Sequence, residues 1–260
     1  MKKLDLGLAL SGGGARCTAE IGVLKCLEEN DIQPDIISGT SGGAIAGALF
    51  ANGVSADEIF HFFKKVNLFS ISNYAFRKPG FINIEKFRSL LHQYIPADNF
   101  EDLKIPLILN ATDLAKGTIT YFESGNLIEC VLASAAYPGV FTPVKIDNNL
   151  YADGGILENL PTKPIRNKCK ILIAVNVNAV VEIPISRIKT SFDVLNRALH
   201  LTISNQQNTS DCDILVEPKT VGSYGIFSIT KMDEIYKYGY DEMVKNIPKV
   251  RSMMDQITRS

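Results

Sequence analysis

Ile36-Ile37-Ser38-Gly39-Thr40-Ser41-Gly42-Gly43-Ala44 is the stretch on which the reading of this chain turns. Residues 35–38 read as a short strand, and the small-residue run 42–51 reads as a helix. Between them G-x-S-x-G stands in the strand–turn–helix setting that lifts a serine onto a sharp tip. So tight a turn needs small neighbours, and Gly39 and Gly43 meet that need as the flanks of a nucleophile elbow around Ser41. The amides that follow open a helix N-terminus, where nearby negative charge is stabilised. Close approach of helix to sheet accounts for the crowding of Gly42, Gly43, Ala44, Ala46, Gly47 and Ala48.

A second small-residue turn lies upstream. Leu4–Leu10 reads as a strand, residues 15–30 as a helix, and Ser11-Gly12-Gly13-Gly14-Ala15-Arg16 joins them. Three glycines allow successive amides to converge beside the positive end of a helix, a nest for a phosphate or a developing oxyanion. A dinucleotide fingerprint fits poorly, because its third glycine would fall at Cys17 and no acidic residue ends the second strand. G-x-x-x-x-G-K-[ST] does not occur either.

A serine hydroxyl needs a base. The three histidines, His61, His92 and His200, all fall inside helical runs rather than on loops after strands, which marks them as structural or surface residues. Only His200 has the chain order of a Ser…Asp…His triad. Asp153, in Tyr151-Ala152-Asp153-Gly154-Gly155, is the better base, although Asp-Gly is also an ordinary turn signal. A carboxylate can take the serine proton itself if desolvation raises its pKa, and Gly154 and Gly155 leave room for close approach.

Elsewhere in the chain, Ser55-Ala56-Asp57-Glu58 is a capping box for a helix to about residue 66, and Asn83 caps a helix that Pro96 stops. Runs at 105–112, 171–177 and 213–216 read as buried strands, with shorter ones at 118–122, 144–146 and 150–152. Strands alternating with helices predict an α/β fold with a mostly parallel central sheet, covered by helices on both faces. Sites in such sheets lie beyond the carboxyl ends of the strands.

With 260 residues and neither repeat nor linker, the chain is expected to be one domain over 1–260, with 55–100 a helical, lid-like or cap-like insertion. Twenty-seven basic against 28 acidic residues give a net charge of −1, so no nucleic-acid partner is expected. Five scattered cysteines without a CxxC pair suit a reducing, cytoplasmic setting. Asp5 and the glycine run interrupt what would otherwise resemble a leader after Met1-Lys2-Lys3. The uncharged stretch 36–56 carries Ser38, Thr40, Ser41 and Asn52, and is better explained by the elbow than by a membrane span.

Three motifs in order, Gly12-Gly13-Gly14-Ala15-Arg16, Gly39-Thr40-Ser41-Gly42-Gly43 and Asp153-Gly154-Gly155, resemble the patatin-like phospholipases. The likeness extends to Ala111-Thr112-Asp113-Leu114, Ala133-Ser134 with Pro138-Gly139-Val140-Phe141, and Asn159-Leu160-Pro161, covering most of 6–218. It is nearest the compact bacterial, single-domain members. The resemblance implies hydrolysis of lipid acyl esters, as a phospholipase A or lysophospholipase, by a Ser–Asp dyad with no metal or other cofactor. Ser41 would be the nucleophile, Asp153 the base, and the Gly12, Gly13 and Gly14 amides the oxyanion hole. Cys17 departs from the family, whose loop usually has glycine there; it is expected to pack, and it puts the substrate range in question. A lipid-binding or regulatory protein with little turnover is the alternative.

Seven of the 13 phenylalanines (Phe60, Phe62, Phe63, Phe69, Phe76, Phe81 and Phe87) fall in 60–95. Lys64, Lys65, Arg77, Lys78, Lys86 and Arg88 oppose Glu85 there. The pattern suits either a lid in peripheral contact with the inner membrane surface, or helix core with a solvated basic face. Residues 231–257, with Ile235, Tyr238, Tyr240, Met243 and a break at Pro248, are a candidate homodimer surface.

Overall fold

The computed structural model describes residues 3–65, 84–206 and 209–259. In chain order the elements are β1 (Leu4–Leu10), α1 (Thr18–Glu29), β2 (Ile36–Gly39), α2 (Gly42–Ala51), α3 (Ala56–Lys65), α4 (Ile84–Tyr94), β3 (Leu107–Asp113), β4 (Thr118–Phe122) and α5 (Leu127–Ser134). There follow β5 (Val144–Ile146), β6 (Asn149–Asp153), α6 (Lys163–Arg166), β7 (Cys169–Val175), α7 (Ser191–Gln206), β8 (Ile214–Val216) and α8 (Met232–Arg259).

The centre of the sheet, β3-β2-β1-β7-β8, is parallel throughout, as expected, and the antiparallel strands β4, β5 and β6 gather at the β3 end. Alternation along β1 decides its two faces. Leu6, Leu8 and Leu10 enter the large core with α1, α2, α3 and α5, while Ala9 joins a smaller cluster with Ile165 of α6 and Leu172. Each fully buried leucine contributes roughly 1.5–3 kcal/mol by leaving water.

The register around β3 determines which strand ends meet. Leu109 pairs with both Gly39 of β2 and Phe122 of β4, and Ala111 pairs with both Thr120 of β4 and Asp153 of β6. Since β4 fills one edge, β2 and β6 must share the other. One ends travelling up that edge and the other ends travelling down it, so their carboxyl ends face each other.

Three expectations are corrected. The helix read from residue 15 begins as a 3-10 turn over Gly14–Cys17, closed by the Arg16 amide on the Gly13 carbonyl at 3.1 Å, while the Ala15 amide is held by the Ile226 carbonyl at 2.8 Å. Pro248 does not break α8: it withholds one helical hydrogen bond, but Ile247 and Val250 on either side of the gap are buried and keep the helix docked. The apolar face of α8 is used within the chain, where Ile235 and Met243 join the large core. A side chain at Gly239 would collide with the Ala19 carbonyl, so glycine is what lets α8 lie against α1.

Phe62 and Phe63 of the aromatic region are buried in the same core and Phe60 packs against it, while Lys64 and Lys65 are exposed. Asn83, Phe69, Phe76, Phe81, Arg77 and Lys78 lie outside the described residues, as do the side chains of Glu85 and Lys86. Among the described residues no helix is long and apolar enough to cross a membrane.

Candidate active site

Ser41 occupies the tip between β2 and α2 with φ 53° and ψ −119°, a conformation that costs a residue with a side chain about 1–3 kcal/mol. Hydrogen bonds hold it there. Its amide donates to Ser134 Oγ at 2.9 Å, the Thr40 amide to the Leu10 carbonyl at 3.1 Å, and Thr40 Oγ1 to Asn110 Oδ1 at 2.8 Å. A Cβ at Gly43 would come within 2.5 Å of the Ser11 carbonyl oxygen, so the elbow could not seat on β1 with any larger residue.

Asp153 arrives from the opposite direction along the β3 edge. Ser41 Oγ donates to Asp153 Oδ2 at 2.6 Å, across 112 residues of sequence. The other carboxylate oxygen, Oδ1, accepts the Gly155 amide at 2.8 Å, which orients the group. Burial drives the Asp153 pKa up to about 6 against the opposing pull of the bonds from Ser41 and Gly155. The carboxylate is therefore ionised at neutral pH, yet basic enough to share a proton with a serine.

Below the elbow, the glycine loop is fixed from behind. The Gly12 carbonyl accepts from Asn178 Nδ2 and, at 3.3 Å, from Asn159 Nδ2. In a trans peptide the next amide points the other way. Gly13 N–H thus faces away from the asparagines, and it has no acceptor among the described residues. One expectation changes here: the Gly12 amide donates to the Asn159 carbonyl at 3.0 Å and is not free to hold an oxyanion. Ser11 Oγ, just upstream, accepts the Val177 amide and donates to Glu20, a wholly buried carboxyl whose pKa burial pushes well up.

These groups open on a cavity of about 390 Å³, walled by Gly12, Gly13, Gly14, Ser41 and Asp153 on one side and by residues of 183–203 on the other. Cys17 is outside that lining and wholly buried, its thiol against Gly42 and the Ser11 carbonyl, so it packs beneath the elbow.

His200 reaches the cavity wall, but its ring is engaged at both nitrogens. Nε2 lies 3.2 Å from both the Asn178 carbonyl and Arg16 Nη1, and Nδ1 lies 3.2 Å from Arg197 Nη1, so in either tautomer the ring's one lone pair faces an arginine. Burial, then the neighbouring Arg16 charge, lowers its pKa to about 4. No lone pair is left to serve Ser41. His61 is exposed on α3, and His92 on α4 lies 3.6 Å from Asp98.

Sequence reasoning missed Asn178, Tyr137, Arg197 and the whole α7 wall, and it gave Arg16 no role. Arg16 is 5% exposed, bonded to the Tyr224 carbonyl and Asn178 Oδ1, in contact with His200 Nε2, and without a carboxylate partner among the described residues. Tyr137 reaches across the cavity to Asn196 of α7 at 2.9 Å. A usable signal existed for Asn178: Asn176 and Asn178 close an apolar strand at its carboxyl end, where sites form.

A strained serine on a strand–helix elbow, in contact with a buried carboxylate beside a glycine turn, defines a class of α/β proteins built around a nucleophile elbow. Residues 8–165 match the patatin-like phospholipase family, and the chain belongs to that family. An NTE family protein of Mycobacterium bovis is 36% identical over 177 residues, covering 66% of this chain and 49% of that one. A lysophospholipase NTE1 of Meyerozyma guilliermondii is 25% identical over 98% of this chain and 20% of its own length. The chain thus spans about half the length of the mycobacterial relative and a fifth of the fungal one. Among solved structures, VipD of Legionella pneumophila superimposes with a TM-score of 0.54 at 15% identity, covering 98% of this chain and 67% of that one. ExoU of Pseudomonas aeruginosa, in its complex with SpcU, gives 0.50 at 16% identity, covering 95% and 52%. At such identities these two show the fold.

Proposed function

We propose that this protein is a serine acyl hydrolase acting on lipid carboxylic esters, of phospholipase A or lysophospholipase type. The observation that carries the reading is the 2.6 Å bond between Ser41 Oγ, on its strained tip, and the buried Asp153 carboxylate. A binding protein has no use for so costly a pair. Ser41 attacks the ester carbonyl while Asp153 takes its proton. The amides of Gly13 and Gly14 receive the oxyanion, with Asn159 and Asn178 holding the loop in place through the Gly12 carbonyl. The proton then passes from Asp153 to the leaving alcohol or lysolipid. Water, deprotonated by the same carboxylate, releases the fatty acid from Ser41.

The apolar lining supports an acyl chain: Ile45, Leu132, Val140, Phe141, Leu199 and Ile203 all face the cavity. Phe87 of α4 reaches it as well, and α4 enters this reading as a cover over that edge. The likeness to lysophospholipase NTE1 supports the same substrate class. A fluorophosphonate probe is the direct test. Wild-type protein should label and Ser41→Ala should not, with hydrolysis of a short-chain nitrophenyl ester lost in parallel. Equal labelling of the two proteins defeats the assignment.

A further inference from the structure

Half of the large hydrophobic side chains exposed on the described surface fall in one short segment: Val180, Ile185, Ile188, Val194, Leu195 and Leu201. Their placement on α7 is ordered. Phe192, Asn196, Leu199 and Ile203 face the cavity, whereas Val194, Leu195, Ala198 and Leu201 face out at helical spacing. A helix wall beside solvent should carry its polar residues outward; this one turns Asn196, Arg197 and His200 toward the cavity and Val194, Leu195, Ala198 and Leu201 outward. Ile185, in the turn before it, is 88% exposed between Pro184 and Arg187. An apolar patch of this kind marks a surface that meets something apolar.

Charge and position identify the occupant. Arg16, Arg187 and Arg197 all line the cavity, and none has a carboxylate within ion-pair distance among the described residues. Lys189 adds a further cation at the rim. Of the two acids in the segment, Glu182 and Asp193, the latter caps α7 through the Thr190 amide and hydroxyl at 2.8 Å. The rim is therefore apolar and cationic together, directly outside a cavity whose floor holds Ser41.

We propose that the outer face of α7 and the turn over 180–190 dock the protein on an anionic lipid surface, with Ile185, Val194, Leu195 and Leu201 entering the interface and Arg187 and Lys189 meeting the headgroups. The docking site is thereby placed on this segment rather than on the 60–95 region, and α7 becomes the partition between lipid and cavity. Docking rests on the acyl-hydrolase reading only for its purpose, and it is measurable without turnover.

The test is sedimentation with phosphatidylcholine vesicles, with and without about 30 mol% phosphatidylglycerol. Ser41→Ala protein should bind as wild type does, and more tightly to the anionic vesicles. The double variant Ile185→Glu/Leu195→Glu alters exposed positions outside the cavity lining, so its melting temperature and its turnover of a soluble nitrophenyl ester should be unchanged. Its vesicle partition should fall about tenfold or more. Vesicle binding by a wild-type protein that hydrolyses no ester would sink the hydrolase reading and leave docking standing. The docking proposal is overturned if wild type ignores both vesicle types, or if the double variant partitions as wild type does. It is equally overturned if the variant merely converts a solution dimer to monomer, which would assign the patch to a second copy.

Discussion

The two walls of the cavity are made by different means. On one side, the ends of β1, β2, β6 and β7 place Ser41, Asp153, the glycine loop and Asn178, and almost every polar group there is tied to backbone. On the other, α7 and the turn before it present apolar side chains inward and outward, joined to the first wall by a few polar contacts such as Tyr137 to Asn196. Strand ends hold a reacting group to within a fraction of an ångström because each is braced by its neighbours in the sheet. A single helix over a cavity has fewer braces: α7 meets the strand wall through Tyr137 and Asn196, and through His200 and Ser204 at the Asn178 carbonyl. Demands for precision and for access are thus met by separate parts of the molecule.

This division is tested most severely at Asp153. On the proposed mechanism Asp153→Asn should lower kcat by about 10³-fold or more, since it removes the proposed base while keeping the fold. The same substitution should raise stability, with a definite pH dependence. Because burial lifts the native pKa to about 6, the unfolded chain releases this proton first, and wild type loses stability as pH rises from about 4 to about 6. The variant should therefore be more stable than wild type by about 1–3 kcal/mol near pH 8 and equal to it below about pH 4, as measured by denaturant melts. A variant that is less stable at both pH values would show that the carboxylate is structural rather than strained.

Asn178 offers a smaller, more selective effect. Asn178→Asp keeps an acceptor for Arg16 but removes one of the two side-chain donors to the Gly12 carbonyl, leaving Asn159 alone to hold the peptide that aims Gly13 N–H. We expect kcat to fall by about 10–100-fold with KM within about twofold, because in the proposed mechanism only the transition state uses that amide. A rise in KM at constant kcat would move Asn178 from the oxyanion side of the site to substrate binding.

The smallest effect belongs to His200, on the α7 side. Gln at this position can still donate to the Asn178 carbonyl, so His200→Gln should change turnover by no more than about threefold. It should also leave the acid limb of kcat/KM, which the proposed base Asp153 would set, near pH 6. Loss of several orders of magnitude would replace the dyad with a triad.

How far the molecule was legible differs between the same two regions. The elbow could be read from five residues because its demand is steric and local: Gly43 is required by the Ser11 carbonyl, and Ser41 by its own chemistry. The capping box was equally plain, and Ser55 and Glu58 do bond reciprocally, Ser55 amide to Glu58 Oε2 at 3.1 Å and Glu58 amide to Ser55 Oγ at 3.3 Å. Pro248 misled because tertiary burial of Ile247 and Val250 outweighs one missing helical bond. The apolar face of α8 misled for a related reason, since a face that packs on the chain's own α1 has the same pattern as one that packs on a partner. The α7 wall could not be read at all. A helix whose polar and apolar residues are shared between both sides has no single stripe to point it, and only the surrounding fold shows which side meets the cavity.

The serine tip, the glycine turn, the parallel strands and the carboxylate that would have to join them are all written in the chain itself, because each is a constraint among neighbouring residues. That β2 and β6 share one edge of β3 and run toward each other, bringing Ser41 to Asp153, emerges only from the assembled sheet. The same is true of the Gly12 amide being taken by Asn159 and of α7 turning an apolar face outward. Turn sterics act over a few bonds, whereas strand order and helix placement depend on which edges and faces the rest of the chain leaves free.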